Sequence, residues 1–464
     1  MEPYELTLTE ASARIKAGEL SPVELVDSAL ARVEQTEPHI NAFACVTPEH
    51  AREAARVAEH EITGGDYRGP LHGIPVGIKD LYDTARVPST SSSRVREGRI
   101  PEANAVAVDA MRNAGTVMVG KTHTHEFAYG GITPTTRNPW RTDRIPGGSS
   151  GGSGAAIAAG VCTVALGTDT AGSIRIPAAL CGTVGLKPTY GRVAKVGIAP
   201  LSWSLDHAGP LTRNVRDAAL VLGVLAGHDP ADPASVDTPV NDYLTDLDRG
   251  ISGLRIGVAT NYYFDRVSPD VENATRNAIT TLERQGAHIQ QVQIPYAEVT
   301  LGAEWAILMS EASAYHQDVL REKADLYTPE VRSLLEVGEL IYATDYIKAL
   351  RTRSLIQQGW ATLFDHVDLI VAPCMPVAAP VAGAPTVTWD DGVSEDVTTT
   401  LVRLTSPSNL TGLPTLSVPV GFDDMGLPLG MQLIGRPFDE ATVLRAGQAY
   451  ENASDAVGHI APMR

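Results

Sequence analysis

The stretch from Gly147 to Gly197 constrains this chain most, because glycine, alanine, serine and threonine dominate it. With so few bulky side chains, the backbone there has to approach itself or a ligand closely. The chemistry of the chain is therefore expected in this middle third. Composition allows a packed domain around it: 43% of the 464 residues are hydrophobic and 20% charged, an ordinary globular balance.

Charge narrows the function classes. There are 37 Lys and Arg against 55 Asp and Glu, a formal net charge of −18. That sign repels phosphate backbones and anionic lipid, so neither nucleic acid nor a membrane surface is an expected partner. The longest nearly apolar run, Gly154 to Gly167, falls short of the roughly 18 residues of a membrane span. The start, MEPYELTLTE, has no basic and apolar export signal, and Cys45, Cys162, Cys181 and Cys374 are far apart with no C-x-x-C pair. These features lead us to expect a cytoplasmic protein with buried, reduced thiols.

Periodicity predicts an α/β chain. Ser21 and Glu24 form a capping box, with Pro22 at the first helical position and Val26, Leu30 and Val33 on one face; Pro38 is expected to stop that helix. Leu254–Ala259 reads as a buried strand. A helix follows from Pro269 with Val271, Ala274, Ala278 and Leu282 inward, ending at Gly286. Asp368–Pro373 and Leu416–Val420 read as further strands, and Ala441–Ala453 as a closing helix. The expected architecture is a mixed sheet covered by helices. Gly227–Tyr243 and Pro376–Glu395 read as linkers or long surface loops.

Three clusters can carry chemistry. Gly147-Gly148-Ser149-Ser150-Gly151-Gly152-Ser153-Gly154 precedes a small-residue helix, AAIAAG, and its free N–H groups suit an anion or a developing oxyanion. In Gly167-Thr168-Asp169-Thr170-Ala171-Gly172-Ser173-Ile174-Arg175, Ser173 could be a nucleophile beside N–H groups of Thr170, Ala171 and Gly172, with Asp169 and Arg175 holding the turn. A plain β-turn with a surface salt bridge explains the same residues. Third, Lys79 ends the apolar run IPVGIK, where it is either a snorkelling surface lysine or a desolvated base. Bringing a lysine from about 10.4 toward 7 requires roughly 4 to 5 kcal/mol of burial.

Together, Lys79, GGSSGGSG and GTDTAGSIRIP resemble the amidase signature family, in which Ser149 and Ser173 stand at the 24-residue separation found here. The resemblance continues through CGTVGLKPT (181–189), SLDHAGP (204–210), NLTGLP (409–414) and GLPLGMQ (426–432). It implies an α/β amidase signature fold, a central mixed β-sheet covered on both faces by α-helices, in one domain over 1–464. The catalytic core would fall at about 65–215 and a more variable substrate-pocket region at about 225–400.

The resemblance further implies a Ser-cisSer-Lys triad: Ser173 as nucleophile, Ser149 as bridging serine after a cis Gly148–Ser149 peptide, and Lys79 as base. N–H groups of Thr170, Ala171, Gly172 and Ser173 would form the oxyanion hole, with Ser150, Asp169 and Arg175 as support. Ala171 departs from the glycine many members carry but keeps its donor if φ is negative. Tyr129, Gly148, Trp203 and Trp305 are the substrate-pocket candidates. The implied activity is hydrolysis of small-molecule amides, with carbamates or esters as further substrates, without metal or organic cofactor, by a homodimer.

The glutaminase subunit of tRNA-dependent amidotransferases is the nearest alternative. It is similar at SEAS (Ser310 to Ser313), but its following segments are replaced here by AYHQDVLREKADLY. Two other readings use the same glycines. In one, Gly147-Gly148-Ser149-Ser150-Gly151 is the G-x-S-x-G elbow of an α/β-hydrolase with Asp206 and His316, which requires a strand before it. In the other, the loop cradles phosphate, although G-x-x-x-x-G-K-[ST] is absent. His123-Thr124-His125-Glu126 is only faintly like a metal site, and His207 is expected to support structure.

Overall fold

The computed structural model describes residues 2–463. The strands, in chain order, are β1 (Phe43–Val46), β2 (Pro75–Lys79), β3 (Val117–Thr122), β4 (Val164–Asp169), β5 (Val184–Lys187), β6 (His207–Thr212), β7 (Arg255–Ala259), β8 (His288–Val292), β9 (Leu369–Pro373), β10 (Thr386–Thr388), β11 (Ser394–Asp396), β12 (Thr415–Phe422) and β13 (Pro428–Gly435). Eleven of them form one sheet in the order β1-β3-β2-β4-β6-β5-β12-β13-β9-β7-β8. Pairing is parallel across β3-β2-β4 and across β9-β7-β8, and antiparallel at the other junctions. The sheet is mixed, as the sequence predicts.

Both faces are covered. Side chains of successive strand residues point to opposite faces, and in β4 Val164 and Leu166 enter one apolar core while Ala165 enters another. The second core receives Val26, Ala29, Leu30 and Val33 from helix Pro22–Ile40 together with Ala155, Ala156 and Ile157. Among the described residues no helix is long and apolar enough to cross a membrane.

Several boundaries differ from the sequence reading for identifiable reasons. Ser21 caps the first long helix as expected, its Oγ accepting from Val23 and Glu24 N–H while the Glu24 carboxylate accepts from Ser21 N–H. Pro38 does not stop it. The helix runs to Ile40 and ends at Asn41 with φ 47°; Pro38 removes one bond to the carbonyl four residues back near the helix end without ending the helix. Helix Pro269–Arg284 buries Thr275 and Ile279 besides Val271, Ala278 and Leu282, and Ala274 is only half-buried.

Gly227–Tyr243 is irregular chain tied back by Asp232, whose carboxylate accepts from Lys195 N–H at 2.7 Å. Pro376–Glu395 is not wholly loop, since β10 and β11 make a two-stranded antiparallel ribbon at its end. Three cysteines are buried, whereas Cys45 is only half-buried, contrary to expectation. It sits on the short edge strand β1, which has a single neighbour.

The small-residue helix begins earlier than predicted, at Gly151 rather than Ala155. Its glycines are packing residues rather than loop. A Cβ on Gly152 would lie 2.3 Å from the Ala42 carbonyl oxygen, and one on Gly151 would lie 2.4 Å from Thr133 Oγ1. The absence of those side chains lets the helix press against β2, β3, β4 and β6.

Candidate active site

β2 and β4 are parallel neighbours in the register Val76↔Val164, Gly77↔Ala165, Ile78↔Leu166. Their carboxyl ends therefore leave the sheet side by side, which brings Lys79 against the Thr168–Asp169 end of β4. Ligand crevices of open α/β sheets form at such ends. The helix that follows β4, Arg175–Cys181, and helix Gly151–Ala158 pack against each other above them.

Lys79 is wholly buried, at 0% exposure. Its Nζ lies 2.8 Å from Ser149 Oγ, 2.9 Å from Ser150 Oγ and 2.8 Å from Thr168 Oγ1. All three partners are hydroxyls. Burial drives its pKa well below the ordinary lysine value, and the nearby charges of Asp169 and Asp206 oppose this. The two other buried lysines have different surroundings: Lys121 sits 3.5 Å from Asp80, and Lys187 donates to the carbonyl oxygens of Pro188 and Leu413. Of the three, Lys79 alone faces hydroxyls only.

The Gly148–Ser149 peptide is cis. A Cβ on Gly148 would lie 2.4 Å from the Ile132 carbonyl, so nothing larger than glycine fits there. The Ser149 carbonyl accepts from His125 N–H at 3.0 Å and Thr133 Oγ1 at 3.1 Å. Ser150 N–H donates to the Ser173 carbonyl at 3.2 Å, tying the two serine segments together. Ser173 is 6% exposed and Ser149 0%. No hydrogen bond joins Ser149 Oγ to Ser173 Oγ among the described residues.

The turn carrying Ser173 is built on Asp169 and Arg175, both fully buried. The Asp169 carboxylate accepts from Gly172 and Ile174 N–H, from Arg175 Nε and Nη2, and from Asn409 Nδ2. Burial alone would raise its pKa, yet the Arg175 guanidinium beside it holds the carboxyl far below the usual range. The pair is not the surface salt bridge of the simpler reading. Arg175 also grips the distant chain, donating to the Thr405 carbonyl, Ser408 Oγ and Gln432 Oε1.

Of the four N–H groups expected to face an oxyanion, that of Gly172 is already given to Asp169 at 2.8 Å. Those of Thr170, Ala171 and Ser173 have no protein acceptor among the described residues. Gly172 instead supplies backbone shape: its φ is +128° and a Cβ would meet Thr405 Oγ1 at 2.2 Å. Ala171 is not among the residues of positive φ, the condition under which alanine is compatible with its place.

A cavity of about 800 Å³ opens beside this cluster, lined by Thr168, Tyr190, Trp203, Asp206, His207 and Tyr315 among others. Trp203, 50% exposed, stands in its wall. Tyr129 and Trp305 do not line it: Tyr129 is buried with its hydroxyl unpartnered, and Trp305 packs half-buried on the core.

The competing readings lose their structural conditions. Residues 141–146 form no strand before Ser149, whose partner is a lysine, and His316 is bonded to Tyr327 at 2.9 Å. The first N–H groups of helix Gly151–Ala158 are spent on Thr133 Oγ1 and the His123 carbonyl, so no open phosphate cradle exists. His123 bonds Ser92 Oγ and His125 the Ile132 carbonyl. His207 Nδ1 bonds the Leu205 carbonyl at 2.7 Å and bears on the Asp169 carbonyl at 3.1 Å.

Sequence reasoning missed Thr168 as a third partner of Lys79, and it missed Thr405, Ser408, Asn409 and Gln432 as the far side of the Arg175 clamp. Thr168 stands inside the quoted motif, and the strand register was the missing signal. The clamp has no local signal.

Comparison with known proteins bears on the family and the fold. The family model described as Amidase matches residues 24–444. An amidase of Pseudomonas putida is 50% identical over 450 residues, covering 97% of this chain and 96% of that protein. A glutamyl-tRNA(Gln) amidotransferase subunit of Chloroflexus aggregans is 42% identical over 483 residues, covering 98% and 97%. Among solved structures, a vestigial protein complex described as revealing the evolutionary origins of an s-triazine catabolic enzyme superposes with a TM-score of 0.93 at 35% identity, covering 99% of this chain and 100% of the other.

Proposed function

This chain belongs to the amidase family, and on that premise we propose that it hydrolyses carbon–nitrogen bonds of small-molecule amides with Ser173 as nucleophile, Ser149 as proton bridge and Lys79 as general base. The observation that carries the reading is the wholly buried Lys79 Nζ at 2.8 Å from Ser149 Oγ, with hydroxyls as its only hydrogen-bond partners among the described residues. A desolvated amine without a bonded carboxylate is neutral more readily than a surface lysine. Neutral Lys79 takes the Ser149 proton as Ser149 takes that of Ser173, and Ser173 Oγ forms its bond to the amide carbonyl carbon. N–H groups of Thr170, Ala171 and Ser173 receive the oxyanion.

Collapse of the tetrahedral adduct breaks the C–N bond, and the proton returns through Ser149 to the departing nitrogen. Ammonia or an amine leaves and Ser173 keeps the acyl group as an ester. Water, deprotonated through the same relay, then releases the carboxylic acid. The Asp169–Arg175 pair serves by fixing the Ser173 turn, with helix Ser406–Thr411 and β13 holding Arg175 from behind. One domain over 1–464, with its catalytic core at about 65–215, a cytoplasmic setting and a homodimer complete the reading.

A glutaminase subunit of an amidotransferase is the second reading, favoured by 42% identity along nearly the whole chain. The stand-alone amidase is preferred because the P. putida amidase is more similar and because AYHQDVLREKADLY replaces that subunit's segments after SEAS. The test is kcat/KM against pH on the purified chain, scored by acid and amine release from a panel of small amides. Since burial lowers the Lys79 pKa, the rate is expected to rise with pH and level off below the ordinary lysine value of about 10.4. A pH-independent rate, or a rise only above 10.4, contradicts the lysine base.

A further inference from the structure

Proton counting at Lys79 singles out Thr168. A neutral lysine has two N–H donors and one lone pair, and three hydroxyls surround Nζ at 2.8, 2.9 and 2.8 Å. The Ser150 hydroxyl already donates its proton to the Thr168 carbonyl oxygen at 3.2 Å, so toward Lys79 it can only accept. That accounts for one N–H. Ser149 Oγ must donate if Lys79 is to act as its base, so the second N–H falls to Thr168 Oγ1. We infer that Thr168 is a positioning residue of the reaction: by accepting the second N–H of neutral Lys79 it turns the amine lone pair onto the Ser149 hydroxyl. The inference rests on the proposed relay and adds a residue to it.

Thr168 also differs from Ser150 in where it stands. Its residue lines the cavity of about 800 Å³ beside Trp203, Asp206 and His207. Shortening the side chain therefore makes room for a water from that cavity, which can accept the same N–H. Replacing the hydroxyl by a methyl of the same shape admits no water and offers no acceptor. Function and packing thus predict opposite orders for two substitutions. A packing residue tolerates Thr168→Val and suffers from Thr168→Ala; a lone-pair positioner suffers most from Thr168→Val.

The experiment is the second-order rate of Ser173 labelling by a fluorophosphonate, followed by intact mass across pH, for Thr168→Val, Thr168→Ala, Thr168→Ser and Lys79→Ala. The expected results are a loss of about 10²-fold for Val, a smaller loss for Ala, and rescue to within about threefold by Ser, which restores the acceptor. The Val profile should also shift to lower pH, because the ammonium form loses more than the amine when an acceptor is removed. Val labelling as fast as the unsubstituted chain, or slower for Ala than for Val, overturns the inference. Should Val not fold, Thr168→Cys, which keeps the space filled with a much weaker acceptor, takes its place, and labelling as fast as the unsubstituted chain overturns the inference equally. Undiminished labelling in Lys79→Ala instead overturns the relay on which it rests.

Discussion

Ser173→Ala is expected to lower kcat for every accepted amide by about 10⁶-fold, the order seen when a serine hydrolase loses its nucleophile. Ser149 cannot take over. It is fully buried, its Oγ lies on Lys79, and its carbonyl is held by His125 and Thr133. The substitution removes one oxygen from a residue whose turn is fixed by Asp169 and Arg175, so the fold should be unaffected. Acid and amine release with an unchanged thermal midpoint is the check, and substantial residual turnover would mean that the bond is broken elsewhere.

Lys79→Met has two readouts. It keeps the length of the side chain while removing Nζ, so kcat should fall by about 10⁴-fold through loss of the base. Its stability relative to the unsubstituted chain should be most favourable at low pH. The folded-state pKa of Lys79 is depressed by burial, so the unfolded chain binds a proton that the folded chain resists. For a depressed base the cost to stability is fully present below the folded pKa, shrinks as pH rises toward the unfolded value of about 10.4, and vanishes above it. Methionine removes that cost, so its gain in thermal midpoint should be largest at low pH and fade toward pH 10. Loss of the Lys79 bonds to three hydroxyls subtracts a similar amount at every pH, so the pH trend decides: a difference in midpoint that is equal at all pH would show that Lys79 is not held as a desolvated amine.

How far the site could be read in advance depended on how local its parts are. The Ser149 and Ser173 segments and the Asp169–Arg175 pair each lie within a few residues of chain, and the structure brings Lys79 to Ser149 and Asp169 to Arg175. Thr168 as a partner of Lys79 depends on the β2–β4 register, which links residues 89 positions apart. The Arg175 contacts with Ser408 and Gln432 span more than 230 positions and have no sequence pattern of their own.

The fold was legible where period and caps agree, as at Ser21, and misread where one residue was given too much weight. Pro38 was expected to end a helix already within a turn of its end. The glycines at 151 and 152 looked like loop, but they are the small side of a helix packed on its neighbours. Gly172 N–H, expected to face an oxyanion, is instead reached by the side chain of Asp169. Trp203 and Trp305 are alike in sequence and separate only in space, one in the cavity wall and the other on the core.

The relay stands on which serine is the nucleophile, and covalent labelling decides it directly. The purified chain alone is treated with a fluorophosphonate, digested and mapped by mass spectrometry. The account predicts a single adduct on Ser173, suppressed when Lys79 is replaced by methionine. An adduct on Ser149, or no adduct on the isolated chain, would contradict it.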